Sequence, residues 1–345
     1  MTYSNGYGAT GSGGYGNDFS GQPGPAASYE AQQREKRQIR KLGRISGLGL
    51  VLFIVFQFIA SGVLVMLNLY DDYLNNTDAG YAIGALVSIF CIFVPFLLVS
   101  FLLGEKRQQC FNFGKPYDGK LMAYAVPIGV MICMIANYVS YYLSAIVEIS
   151  TGVTFESPET PVPTTALGIA AYLIELAVVP AIVEEFALRG VVMMPARRFG
   201  NWFAILVSSA IFGLMHGNLV QAPFAFIVGI GIGYLVIVTG SMWTGVMIHF
   251  CNNLFSGLIS IFYEFMAEKT VDTIYYCCVA AFFAFGILFS VLFVLRAKKK
   301  NISLNFKKPV TTLSHGSRTA AYFVNVPMIL AIIFFLVTTY SYISW

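Results

Sequence analysis

Nine long apolar segments dominate this sequence and limit the folds that are open to it. Most of them are long enough to cross roughly 30 Å of hydrocarbon as helices. Lipid offers no hydrogen-bond partner to open backbone groups, and the alternating pattern of a transmembrane barrel is not seen. The sequence therefore predicts an all-α fold, a polytopic transmembrane helical bundle with about 8–9 spans. The segments lie at about 46–70, 80–103, 121–147, 164–194, 201–216, 223–239, 242–263, 273–295 and 320–343.

Composition supports the same class of protein. Hydrophobic residues make up 57% of the chain and charged residues 11%, with a mean hydropathy of +0.71. The basic residues lie beside the apolar segments instead of forming one soluble face. We therefore expect membrane lipids as partners and no nucleic acid. The six cysteines show no C-x-x-C spacing, so we expect small buried side chains and not disulfides or metal ligands.

The first 45 residues are predicted to form a disordered and basic cytoplasmic tail. Residues 1 to about 30 are rich in Gly, Tyr, Ser and Asn and have almost no aliphatic side chains. Such a composition cannot bury enough apolar surface to fold. A basic stretch from Arg34 to Arg44 follows, directly before the first apolar segment.

The distribution of basic residues predicts the orientation in the membrane. Apart from Arg189 and Lys269, every Lys and Arg lies before the first segment or in the alternate loops 106–120, 197–198 and 296–318. The positive-inside rule then places the N-terminus in the cytoplasm and the C-terminus outside, in what we expect to be a bacterial plasma membrane. Termini on opposite sides require an odd number of spans, so both short segments, 201–216 and 223–239, must cross the membrane.

Three of the four charged residues in the apolar segment 164–194 lie close together, and the fourth, Glu175, is not expected to be catalytic. The three are Glu184, Glu185 and Arg189, and each costs roughly 2.5 kcal/mol or more on membrane-insertion scales. Residues four apart share a helix face, so Glu185 and Arg189 are predicted to pair, while Glu184 points about 100° away and is left for chemistry. The alternative is a purely structural ion pair with a spare protonated glutamate.

Two of the three histidines also lie in apolar segments. His216 follows Phe212 by four residues, and His249 precedes Asn253 by four. Helix lengths put Glu184, His216 and His249 roughly 18, 22 and 12 Å from the cytoplasmic ends of their segments. All three are therefore predicted to meet inside the membrane.

Together these motifs resemble the signature of the CPBP intramembrane proteases, the CAAX-protease and bacteriocin-processing family, also called the Abi family. The motifs are Glu-Glu-x-x-x-Arg, Phe-x-x-x-His and His-x-x-x-Asn, in that order in separate segments, and the resemblance covers roughly residues 165–253. It implies that Glu184 activates water, and that Phe212 lines the substrate pocket. The catalytic residues it implies are Glu184, Glu185, Arg189, His216, His249 and Asn253.

With this resemblance the chain divides into four parts: the tail 1–45, N-terminal transmembrane helices 46–160, a catalytic transmembrane core 161–263 and C-terminal transmembrane helices 264–345.

Peptide hydrolysis needs an activated water, an acid for the leaving amine and a donor to the oxyanion. Asn253 is predicted to be that donor. The expected substrate is a membrane-associated peptide or protein that approaches from the cytoplasmic side and is cleaved near the end of its apolar segment.

The sequence leaves the cofactor open. Glu184, His216 and His249 would satisfy a catalytic Zn²⁺ or another divalent metal with one open position. The same three residues also suit a metal-free mechanism in which the glutamate itself takes the proton from water.

Two other classes of protein stay in view. Intramembrane Glu, His and Arg also occur in ion-coupled transporters, and a non-catalytic membrane scaffold or immunity protein would keep the same fold. No second copy of the Glu-Glu-x-x-x-Arg segment occurs elsewhere in the chain, which argues against a transporter repeat.

Pro180 is expected to bend its helix before the glutamates, and Gly229, Gly231 and Gly233 are expected to allow close helix packing.

Overall fold

A computed structural model describes residues 25–75, 78–155 and 161–344. Most of the predicted tail, residues 1–24, lies outside these ranges. The described part is helical almost throughout, which confirms the predicted fold class. Its one other regular element is a short antiparallel pairing of strands β1 (Thr154–Phe155) and β2 (Ile343–Ser344).

The helices agree with the predicted apolar segments. In the described ranges, seven helical stretches are long and apolar enough to cross a membrane, or eight if His315–Phe323 and Val326–Tyr340, bent by 80°, form one span. The 15-residue helix Asn201–Met215 is shorter. In chain order the α-helices are α1 (Pro25–Met66), α2 (Tyr70–Leu74), α3 (Asp78–Ser88), α4 (Val94–Ser100), α5 (Gly119–Thr151), α6 (Ala166–Leu173), α7 (Val179–Glu185), α8 (Met194–Ala196), α9 (Asn201–Met215), α10 (Gln221–Thr239), α11 (Trp243–Phe265), α12 (Glu268–Lys299), α13 (His315–Phe323) and α14 (Val326–Tyr340).

The first helix begins earlier than predicted. Residues 25–45 are helical instead of disordered, so the basic stretch forms the start of α1. The reason is local: this stretch is rich in Ala, Gln, Glu, Lys and Arg, which favour helix. Glu30 and Arg34 add an ion pair at 2.9 Å one turn apart. Glu35 also accepts a hydrogen bond of 2.7 Å from the Thr312 backbone, which fixes the helix to the loop before α13.

The span Ala166–Phe199 lies at the centre of the bundle. Every residue from Glu185 to Ala196 is buried, because helices pack around this part of the span on all sides. The span is not a regular α-helix: π-helical turns at Ile174–Val178 and Phe186–Met193 flank α7. Pro180 follows directly on the first π-helical turn and has no N–H to continue the ladder of an α-helix.

Helix α10 packs closely on two neighbours through its glycines. Gly229 faces Ser209 of α9, Gly233 faces Ile205 of α9, and an added Cβ at either position would press against those side chains. Gly231 faces α5 on the other side. The predicted packing role of this glycine-rich segment is confirmed.

Basic groups collect at one end of the bundle, which we call the basic end. Lys106 is near enough to Arg198 and to Lys41 to be repelled electrostatically by both. The Arg318 guanidinium donates a hydrogen bond to the Phe199 carbonyl at the end of the central span.

A second cluster lies at the same end. Asp118 pairs with Arg296 at 2.7 Å and lies 3.9 Å from Lys300, which joins the start of α5 to the end of α12. The loop that leads to Asp118 is fixed to the turn between α10 and α11, since the Ser241 hydroxyl donates to the Gly114 carbonyl at 2.7 Å.

The opposite end is built from other segments. There the Thr165 hydroxyl donates to Asp78, and Thr154 pairs with Ser344 near the C-terminus. Loops that alternate along the sequence thus lie at opposite ends of the bundle, as the predicted number of spans requires. Which end faces the cytoplasm stays a prediction.

Candidate active site

The two glutamates at the end of α7 have different surroundings. The Glu185 side chain is 0% exposed, whereas that of Glu184 is 18% exposed. Adjacent positions on a helix point about 100° apart. Only Glu184 of this pair is therefore accessible from outside the packed interior.

Glu185 and Arg189 form the predicted buried ion pair, with 3.2 Å between Glu185 Oε2 and Arg189 Nε. None of the guanidinium nitrogens makes a hydrogen bond to the described residues. The guanidinium carbon lies 5.1 Å from the centre of the Phe212 ring, a cation–π contact. Arg189 is thus held by charge and by an aromatic face.

His249 lies between both carboxylates. Its Nδ1 is 3.4 Å from Glu185 Oε1, and its Nε2 is 3.7 Å from Glu184 Oε2. Glu185 is an acceptor, so the hydrogen bond at Nδ1 favours the tautomer with the proton there and leaves Nε2 facing Glu184. The sequence predicted the pairing of Glu185 with Arg189, and the structure adds that Glu185 also orients the imidazole.

Phe212 lies between the two histidines. Its ring centre is 5.0 Å from that of His216 and 5.9 Å from that of His249. His216 closes the end of α9, where its Nδ1 lies 2.8 Å from the Phe212 carbonyl and must donate to it. Nε2 of His216 is left as an acceptor. Among the described residues no ion pair or hydrogen bond joins His216 directly to Glu184.

Asn253 has a partner that the sequence did not indicate. Its side-chain amide donates to the Leu176 carbonyl at 3.0 Å. In an α-helix this carbonyl would accept from residue 180, which is proline and has no N–H. Asn253 therefore donates to a backbone acceptor that Pro180 cannot serve, and one of its two amide hydrogens remains for the predicted oxyanion contact.

Two further residues belong to this region and were missed. Asn252 is buried beside His249 and donates to the Asn253 side chain at 3.1 Å. Gly245 precedes His249 by one turn, and an added Cβ there would collide with the Glu185 carboxylate. The spacing of four residues before His249 was the available signal for Gly245, since it places both on one helix face.

The predicted metal ligands do not form a three-ligand group in this arrangement. Glu184 and His249 adjoin, but no three His, Cys, Asp or Glu side chains in ranges 25–75, 78–155 and 161–344 are placed to hold a metal ion. Metal participation stays a prediction, and no chemical step below depends on it.

Taken together, the fold and this cluster define an integral membrane protein with a glutamate–histidine site enclosed in its central helices. Residues 166–255 match the family model described as type II CAAX prenyl endopeptidase Rce1-like. This match confirms the resemblance to the CPBP family that the three motifs indicated, and at the family level it supports a CAAX-type intramembrane protease. It covers about a quarter of the chain. Comparisons with curated proteins and with solved structures gave no match.

Proposed function

We propose that this protein is an intramembrane endopeptidase in which Glu184 activates the water that attacks a peptide bond. The observation that supports this most strongly is the arrangement at His249. One imidazole nitrogen faces a buried, ion-paired carboxylate, and the other faces the partly exposed carboxylate of the pair. An imidazole that is oriented by a buried carboxylate can hold a water molecule beside a second carboxylate, which then acts as the general base.

In the proposed reaction, Glu184 removes a proton from a water molecule as the oxygen attacks the substrate carbonyl. The protonated Glu184 then gives that proton to the leaving amine. His249 holds its Nδ1 proton toward Glu185, so Nε2 is available to orient the water beside Glu184. Arg189 holds the Glu185 carboxylate in place through the ion pair. The second amide hydrogen of Asn253 is assigned to the developing oxyanion, and His216, whose Nε2 is left as an acceptor, to a donor group of the substrate.

The proposed substrate is a membrane-associated peptide cleaved close to the end of its apolar segment. An intact helix hides its carbonyls in its own hydrogen bonds, so an extended or unwound segment suits a site inside the membrane better. Access is proposed from the basic end, which we assign to the cytoplasm. A prenylated C-terminal peptide belongs to this substrate class.

Comparison of membrane proteomes from cells with wild type and with Glu184→Gln tests the substrate class. We expect cleavage sites within a few residues of the end of an apolar segment that appear only with the wild type. Sites clustered in soluble proteins, or identical proteomes, would favour a non-catalytic scaffold instead.

Metal dependence is tested separately on the purified protein. Glu184 adjoins His249 but has no direct contact with His216 among the described residues, so activity that survives exhaustive chelation would favour direct activation of water by Glu184. Loss of activity on chelation, with recovery at a stoichiometric amount of zinc, would instead restore the three-ligand assignment of Glu184, His216 and His249.

A further inference from the structure

A cavity of about 600 Å³ opens at the basic end, apart from the glutamates. Its walls come from the segment 105–112 and from the stretch 194–201, where the central span ends. Lys106, Arg197 and Arg198 line it together with Glu105 and four amide side chains. Three cations against one carboxylate leave an excess of positive charge around this space.

That charge is not neutralised within the protein. In the described part of the chain, no carboxylate lies within ion-pair distance of Lys106, Arg197 or Arg198. Lys106 also experiences repulsion from Arg198 and from Lys41. An anion in the cavity would relieve this repulsion and gain attraction from all three cations.

The two arginines are already oriented. Arg197 donates from Nε to the Asn201 side chain at 3.1 Å, which fixes one edge of its guanidinium. The Arg198 guanidinium carbon lies 4.4 Å from the centre of the Phe199 ring. Ordered cations lose less conformational entropy when they bind a ligand.

Exposed apolar and aromatic side chains lie next in the sequence to the residues that line the cavity. Phe101 and Leu102, just before Glu105, are 56% and 49% exposed, and Trp202, just after Asn201, is 49% exposed. Trp202 stacks on Tyr234 with ring centres 6.0 Å apart. Aromatic residues of this kind mark the level of lipid headgroups. An occupant with an anionic head and apolar chains fits both surfaces, whereas a small soluble anion fits only the first.

We propose that this cavity binds the phosphate headgroup of an anionic phospholipid, with the acyl chains along the exposed apolar side chains beside it. The volume lies in the range of small-ligand sites. The lipid would fill the cleft between the segment 105–112 and the end of the central span.

Native mass spectrometry of the full-length protein in detergent tests this, with phosphatidylglycerol and phosphatidylcholine as probes. We expect phosphatidylglycerol to bind more tightly, and Lys106→Gln with Arg198→Gln to weaken it by about fivefold for each charge removed. The matched control is Lys298→Gln with Lys299→Gln, which removes two exposed charges outside the cavity and should change the affinity less than twofold.

Glu105→Gln provides a test that does not depend on removing cations. It removes the one carboxylate of the lining, so phosphatidylglycerol should bind several-fold more tightly. Equal affinity for the two lipids, or an equal loss in the control, would overturn the proposal. So would displacement of the lipid by inorganic phosphate at similar concentration, or by a peptide with a free C-terminal carboxylate.

Discussion

Arg189 is one of two arginines that are almost completely buried in the described part of the chain, the other being Arg318. Arg189 is fully buried and makes no hydrogen bond to the described residues, so Glu185 and the Phe212 ring are what compensate its charge. A buried charge of this kind is tolerated only with its partner in place. The same partner, Glu185, orients His249. Charge compensation and catalytic geometry are therefore linked through one carboxylate.

Arg189→Ala is expected to lower the free energy of unfolding by about 3–5 kcal/mol, because it leaves Glu185 buried without its cation. The measurement is thermal or denaturant unfolding of the purified protein in detergent. The matched control is Glu185→Gln with Arg189→Met, which removes both charges and should destabilise less. If Arg189→Ala is as stable as the wild type, the ion pair does not stabilise the folded protein.

The sequence predicted part of this residue-level picture. The spacing of four between Glu185 and Arg189 is a local helical relation, so their pairing followed from the sequence alone. The double contact of His249 and the bond from Asn253 to Leu176 depend on how α11 lies against the central span. No local pattern contains that information.

At the level of elements, α7 lies between two π-helical turns and contains Pro180 in its first turn. Turns of this kind often occur at functional sites, since they alter which side chains share a face. Here the irregular stretch leaves the Leu176 carbonyl to a side chain of a different helix, α11. The glutamate-bearing helix and the histidine-bearing helix are thereby joined by a hydrogen bond.

A double-mutant cycle distinguishes a catalytic role of Asn253 from its structural role as hydrogen-bond donor to the Leu176 carbonyl. Asn253→Ala leaves the Leu176 carbonyl without its donor and should cost about 1–3 kcal/mol of stability. Pro180→Ala supplies a backbone N–H, so the double variant should recover much of that stability while remaining inactive if Asn253 also serves the oxyanion.

Unfolding and peptide cleavage are measured for all four combinations, with Asn252→Ala as a neighbour that leaves the Leu176 bond intact. Recovery of activity together with stability would show that Asn253 acts only through the backbone. No recovery of stability would mean that Pro180 is not the cause of the open carbonyl.

Element boundaries were only partly predictable. The apolar segments located the spans because length and hydropathy are local properties. The early start of α1 was missed, since charge and low hydropathy were taken as signs of a tail although the residues are good helix formers. The π-helical turns were missed because they arise from packing around Pro180 and its neighbours.

At the scale of the whole molecule, the separation of charge between two ends predicts the orientation. Residue 104 lies next to the cationic cavity, whereas Ser341 lies just before the strand that pairs with Thr154 at the other end. Reporter fusions after Gly104 and at Ser341 should therefore report opposite sides of the membrane, with residue 104 in the cytoplasm. The same side for both would contradict this arrangement of spans.

Asp118 ties two spans together in a way that depends on pH. Hydrogen bonds from Arg296 lower the pKa of this carboxyl from 3.8 to about 2. A lowered pKa means that the ionised aspartate stabilises the folded state, fully above pH 3.8 and no longer below about pH 2.

Asp118→Asn isolates this effect, because asparagine can still accept the hydrogen bond from the Leu121 backbone at the start of α5. The wild type should be the more stable form at neutral pH, and its advantage should disappear as the pH falls from 3.8 to about 2. Unfolding curves of both forms across this range provide the measurement. A constant difference would show that the pairing with Arg296 does not contribute.

The central claim is that Glu184 activates water at an enclosed site. The most direct measurement is the rate at which the purified protein, reconstituted in liposomes, cleaves a membrane-anchored peptide. Glu184→Gln should lower that rate by roughly 10²–10⁴-fold, the contribution of a general base. Glu175→Gln, which changes another carboxylate of the same span, should leave it near the wild-type value. Equal rates for wild type and Glu184→Gln would contradict the account.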